Sequence, residues 1–473
     1  MLSPTMERRM AHSRQQRLSH LTMGFLVVLA LMAHLAPTKA SETDDLQTAF
    51  MAAQLLSQSP VLRRVSIEWL RDVGGKPAIP ALIRGLRFTP DERELIINAL
   101  ETLTGEQAGK RWHDWVLWQE AHPEVRPFDG HDSFLTTLFT AIDPNFVSFV
   151  YPGVSHKIRL EEIVWGGVYK DGIPALTNPD LIEAADADYL TDDELVFGVS
   201  INGDVRAYPL RIMDWHEMFN DVIGGVPVSL AYCTLCASGI LFDTRRPDGS
   251  NFTFGSSGFL YRSNKLMYDH QTQSLWSQFT GKPVVGRLAD SDIELKTLPV
   301  AITRWGDWKT NNPATKVLAI ETGYRRDYRP GKPYGDYFES ADLLFPALVE
   351  RTELNAKDYV FALRSSGIDK AWSLASFENE PVINDVASAL ALTLIGDAKT
   401  RSVRAYRTDG TKFEKTDDPR QVVANGERWE VTEEALTNVA GTSFPRLPGH
   451  IAYWFAWSGY LGDSGELADV SKD

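Results

Sequence analysis

Apolar positions follow two different periods along this chain. From Asp45 to Glu120 they recur at helical spacing, as in Val61, Val65, Ile67 and Leu70, then Ile79, Leu82, Ile83 and Leu86, then Leu95, Ile96, Ala99 and Leu100. Gly74-Gly75, Pro77 and Thr89-Pro90 punctuate the run, with Glu92 in the first turn of the next helix. The pattern predicts four or five short antiparallel helices over 41–125, a HEAT-like block, and then a loop-rich linker over 126–157. From Ile158 onward the period is that of strands. Leu195 to Ile201 and Val205 to Tyr208 flank Asn202-Gly203-Asp204, and Asn-Gly between such runs predicts a hairpin. Pro227 to Tyr232 and Gly239 to Thr244 read as two more strands. Between the hairpin and these strands a short helix is expected near Asp214 to Val222, capped by Asp214 with Glu217 three positions on and ended by Gly224-Gly225. His216 and Asn220 would then share one face of it.

The strand-rich region repeats itself. At an offset of 164 residues, Val196-Phe197, Gly203, Ala207, Leu210, Asn220-Asp221 and Leu230 fall on Val360-Phe361, Gly367, Ala371, Leu374, Asn384-Asp385 and Leu394. Further on Phe252 aligns with Phe413, Trp276 with Trp429, and Trp305 and Trp308 with Trp454 and Trp457, the first copy being longer across Gly255 to Gln273. The expected fold is mainly β (α+β overall): two tandem pseudo-repeated β-rich lobes at 158–345 and 346–465, preceded by the small all-α block. Trp276, Trp305 and Trp308 recur in both copies, so they belong to the core. The Trp112, Trp115 and Trp118 stripe reads as core or as a seam between domains.

Arg8, Arg9, Arg14 and Arg17 precede an apolar run from Leu21 to Ala36, and Thr38-Lys39-Ala40 offers small residues for cleavage. This is a signal-peptide pattern over residues 1–40, and it predicts a periplasmic or extracellular protein. Sixteen residues rise only about 24 Å as a helix, less than the roughly 30 Å hydrocarbon core, so no stable membrane span is expected in the mature chain. Net charge is −15 over 473 residues. Removing residues 1–40 takes away five cations and one anion and leaves −19, which excludes nucleic acid as a partner. The helical block is the candidate surface for a protein partner.

Only two cysteines occur, Cys233 and Cys236, and the second copy carries Asp397 and Thr400 at those positions and Glu380 in place of His216. In an exported chain an isolated Cys-x-x-Cys pair is a metal ligand pair, a redox centre or a disulfide staple. His216, placed before the strand that ends at Cys233, and His270, which follows the longer stretch, would complete a Cys₂His₂ set suited to copper or zinc, with oxidative chemistry possible there. Tyr261, Arg262, Lys265, Asp269 and Asn220 are candidates to contact a ligand or support the ligating groups, with Arg262 and Asp269 able to pair. Two alternatives stand beside the metal reading: a thiol–disulfide redox protein, and a non-catalytic ligand- or protein-binding scaffold stapled by a disulfide.

The blocks Tyr232 to Gly239, Phe254 to His270 and Ser274 to Gly281 resemble the bacterial exported domain of unknown function 3179 (DUF3179) family, over roughly Pro144 to Leu461. The resemblance implies no established activity.

Overall fold

The computed structural model of the protein describes residues 40–468 except Ser366. The signal-peptide pattern of residues 1–40 lies almost wholly outside the described residues. Among those described, no helix is long and apolar enough to cross a membrane.

Among the described residues, six α-helices form the N-terminal block: Ala40–Gln54, Pro60–Trp69, Ile79–Phe88, Arg93–Thr104, Trp112–Ala121 and His131–Ile142. The last of these corrects the expected linker over 126–157. Phe134, Leu135, Leu138 and Phe139 line its inner face, and with Phe146 and Phe149 they join the same buried core as Ile79, Leu82 and Trp115. Sequence periodicity missed this helix because its threonines, Thr136, Thr137 and Thr140, favour strands in isolation. Here each hydroxyl donates to the carbonyl four residues back. The block does not stand apart from the β region. Its core continues into Phe259, Leu266, Tyr268, Leu275 and Val285 of the first lobe. Across the same seam Arg87 Nη1 donates to Trp165 O at 2.8 Å and Gln119 Nε2 to Glu161 O at 2.7 Å.

The two copies build the same unit. In the first lobe Leu195–Ile201 pairs with Asp204–Pro209 so that Phe197 faces Tyr208; in the second Tyr359–Ser365 pairs with Ile368–Ser373 so that Phe361 faces Trp372. Trp305 and Trp308, like Trp454 and Trp457, sit buried on short helices that follow the strands Ala301–Arg304 and Gly449–Tyr453. Met218 pairs with Ala231 where Val382 pairs with Ile395, and Cys233 with Ser238 where Asp397 pairs with Ser402. One sequence alignment shifts by two residues. Asn220 brackets Phe254 through that residue's backbone N–H and C=O at 2.9 Å each, and Asn384 brackets Phe413 in the same way, so Phe254 rather than Phe252 is the partner of Phe413. Ring geometry agrees: Phe254 meets Trp276 edge-on at 5.3 Å, and Phe413 meets Trp429 edge-on at 5.4 Å.

The lobes share a core in which Phe197, Tyr208 and Tyr232 pack with Phe361, Trp372 and Ile451. The first lobe differs most in one hairpin. Ten residues separate Ser256 from its partner Met267 across the hairpin end, whereas six separate Lys415 from Val422.

Candidate functional site

The cysteines occupy the turn between two central strands, Val226–Cys233 and Ser238–Asp243. A single 3₁₀ turn, Thr234–Cys236, brings Cys236 back over Cys233, and Ala237 at φ 50° closes the reversal in the left-handed region. The first and fourth positions of such a turn lie on one side. The thiols are therefore neighbours, both free, both buried, with Sγ atoms 2.8 Å apart.

The long hairpin supplies one wall of the site. Its tip residues Arg262 and Ser263 both have positive φ, 47° and 62°, as a two-residue turn matching strand twist requires. That tip delivers Ser263 O to 3.4 Å from Cys236 Sγ and Asn264 Nδ2 to 3.4 Å from the same sulfur. Behind it Gln278 Nε2 donates to Ala231 O and Ser238 O, each at 2.7 Å, while its Oε1 accepts from Asn264 Nδ2 at 2.8 Å and from Ser238 Oγ at 3.2 Å. Burial pushes the Cys236 thiol well above its ordinary pKa, the contact with Cys233 adds to this, and the Asn264 N–H pulls the other way.

Glu217 and two tyrosines supply the other wall. Glu217 stands at φ 55° where the helix Leu210–His216 gives way to the strand Met218–Ile223. Its carboxylate is paired with the buried Lys265 and accepts from Thr234 Oγ1 at 3.1 Å and from Tyr334 OH at 3.2 Å. Tyr337 OH donates to Leu235 O at 2.7 Å within the cysteine turn. Both tyrosines belong to the connection between the strands Lys316–Leu318 and Tyr359–Ser365, and burial raises both phenols far above their usual pKa. Nearby, Asp214 is buried with one carboxylate oxygen lacking a partner, and its pKa is pushed up to about 8 by burial.

The residues expected from sequence distribute unevenly around this centre. The helix of 214–222 proved to be Leu210–His216, with Asp214 inside it rather than capping it. Asn220 lies on the following strand and Gly224-Gly225 form the next hairpin turn, so His216 and Asn220 do not share a helix face. His216 is buried and fully engaged. Pro174 O can only accept, so the contact at 2.8 Å fixes the proton on Nδ1, and Nε2 receives the Tyr328 hydroxyl at 2.6 Å. His270 is exposed and stacks on Tyr268. It follows Asn264 by six residues of extended chain, about 20 Å from the end that touches Cys236. Arg262 and Asp269 stand at opposite ends of that strand, the first in the hairpin turn that precedes it and the second its last residue. Arg262 pairs with Glu162 at 2.8 Å, and Asp269 accepts from Trp276 Nε1 at 2.9 Å and from Thr272 Oγ1 at 2.7 Å. Tyr261 is half-buried beneath the Arg262 guanidinium. Among the described residues, no group of three or more His, Cys, Asp and Glu side chains gathers closely enough to hold a metal ion. Of the candidates, Cys233, Cys236 and Lys265 meet at one site.

Residues 170–464 match the family described as protein of unknown function (DUF3179). The chain belongs to this family. No curated protein and no solved structure matches it. The DUF3179 match takes in the cysteine site and nearly all of both lobes, and it leaves out the helical block and the strand Ile163–Trp165. Within it, sequence reading passed over Glu217, Asn264, Gln278, Tyr334 and Tyr337. A signal existed for two of them. Asn264 lies in the stretch without a counterpart, and Gln278, at the offset that joins Trp276 to Trp429, stands opposite Val431.

Proposed function

We propose that Cys233 and Cys236 of this DUF3179 protein form a reversible dithiol–disulfide couple acting on an external thiol or disulfide. One observation carries the reading: the second lobe makes the same turn without sulfur. Asp397 pairs with Ser402 as Cys233 pairs with Ser238, and Arg401 takes φ 52° where Ala237 takes φ 50°. Asp397 Oδ1 simply accepts from Lys399 N at 2.8 Å. The fold needs no staple there, and a loop this short would stabilise by only about 2 kcal/mol. In the oxidative direction two thiols and an external disulfide become one internal disulfide and two external thiols, two electrons passing to the external pair. Cys233 is the entry sulfur, being 3% exposed where Cys236 is wholly enclosed. Bond formation needs the sulfurs to close from 2.8 Å to about 2.05 Å.

The test is a redox titration of the purified protein in glutathione buffers, with thiols trapped by alkylation and counted by mass, beside total metal analysis. A single two-electron transition, lost in Cys233→Ser and in Cys236→Ser, is expected. Copper or zinc binding by the same soft dithiolate is the competing outcome. Stoichiometric metal, lost in Cys233→Ser, together with thiols that never oxidise, would replace the redox reading.

A further inference from the structure

The amide pair Asn264 and Gln278 has a fixed polarity, set by its hydrogen-bond partners. Ala231 O and Ser238 O are acceptors without alternatives, so both must receive the NH₂ of Gln278. This turns Gln278 Oε1 toward Asn264. An oxygen there must be met by a donor, so Asn264 presents its own NH₂, spending one N–H on Gln278 Oε1 at 2.8 Å. The remaining N–H is directed at Cys236 Sγ, 3.4 Å away. Two backbone carbonyls of the strands that bracket the cysteine turn therefore set, through two side chains, which atom faces the sulfur. All of these side chains are buried, so water does not compete for the contacts. The second lobe lacks the whole relay: Val431 stands where Gln278 does, and the hairpin is too short to reach.

We infer that Asn264 is a catalytic residue of the disulfide step, stabilising the Cys236 sulfur as leaving group, and that Gln278 is the positioning residue that aims it; the inference rests on the dithiol reading above. In the reductive half-reaction an external thiolate attacks Cys233 Sγ. The Cys233–Cys236 bond breaks, its electron pair goes to Cys236 Sγ, and a mixed disulfide remains on Cys233. A second external thiolate attack at that mixed disulfide releases the oxidised partner and leaves Cys233 as thiolate; both sulfurs then take protons from solvent. Thiols leave faster when their thiolate is stabilised, and burial opposes that at Cys236. The Asn264 N–H offsets part of this cost at the atom where charge develops.

The experiment follows reduction of the oxidised full-length protein by excess dithiothreitol across pH, in wild type, Asn264→Leu, Asn264→Asp and Gln278→Met. Asn264→Leu keeps the volume and removes the donor. Reduction about ten- to hundred-fold slower is expected, the range for a hydrogen bond to a charged group. Gln278→Met is expected to give a smaller loss, because the Asn264 amide is then free to turn. Loosened packing alone would speed access rather than slow it. As a second readout, the midpoint of the Cys236 thiolate ultraviolet absorbance, taken in a Cys233→Ser background, should rise by about one pH unit or more when Asn264→Leu is added. Wild-type rates and an unmoved midpoint in both Asn264 variants overturn the inference while leaving the dithiol couple standing. A wild-type protein that forms no disulfide removes both together.

Discussion

The turns 233–238 and 397–402 have the same pairing and the same left-handed fifth residue, yet one carries a buried dithiol and the other an Asp–Thr pair half open to water. Backbone shape is thus common to the two lobes, and what separates them is their surroundings. Around Cys236 stand a longer hairpin, an amide relay and, from the connection that leads into the strand Tyr359–Ser365, Tyr334 and Tyr337. The second lobe has the shorter hairpin, and Val431 stands where Gln278 does. A site arises here from what is brought to an ordinary turn, and the comparison separates the geometry that permits a disulfide from the groups that would tune one.

Grafting the sulfurs onto the second turn tests that separation most severely. The double variant Asp397→Cys with Thr400→Cys should acquire a second disulfide on oxidation, seen as two further protected thiols by mass. Its reduction rate should be indifferent to Asn264→Leu. If it cannot close, the two turns are less alike than their φ values suggest.

Next in size is the asparagine clamp found in both lobes. Asn220 is buried, so Asn220→Ala strands the N–H and C=O of Phe254 in the core, and a loss of about 1–3 kcal/mol is expected. Asn384 is exposed, so water replaces its contacts, and Asn384→Ala should cost under about 1 kcal/mol. Urea unfolding of both variants measures the difference; equal losses would mean that burial does not distinguish the lobes.

The lobes differ too at Asp214, whose counterpart Glu378 lies exposed. The folded protein holds the Asp214 proton up to about pH 8, while the unfolded chain releases it near pH 3.9. Between those values the unfolded state binds fewer protons, so stability falls as pH rises, at no more than about 1.4 kcal/mol per unit from this group. Asp214→Asn should flatten that decline and Glu378→Gln should leave it alone. Unfolding free energies at pH 5.5 and 7.5 decide it, and an unchanged slope in Asp214→Asn would remove Asp214 from the account.

Much of the architecture was legible in the sequence because it is written twice. The internal repeat predicted the paired strands and core tryptophans, and the period of the apolar residues separated the helical block from the lobes. The helix His131–Ile142 was not legible, since its threonines carry strand propensity and only tertiary packing overrides it. At the site, the cysteines stood out as unlike their counterparts. Chemical type alone points to histidines as their partners, and strand geometry decides otherwise. His270 sits at the far end of the strand that begins with Asn264, and His216 turns toward Pro174 and Tyr328 while its neighbour Glu217 faces the turn. One residue of displacement at a helix end reverses which side chain points inward, and spacing alone does not carry that information.

The hairpin that holds Cys236 has its apolar back, Phe259 and Leu266, pressed into Phe139, Phe146 and the rest of the helical core. A version of the chain trimmed to the borders of the family match would bare that back, leaving a sticky slab of aromatic rings and a reactive tip with no anvil behind it. The helices belong to the engine casing as much as to any surface that meets other molecules.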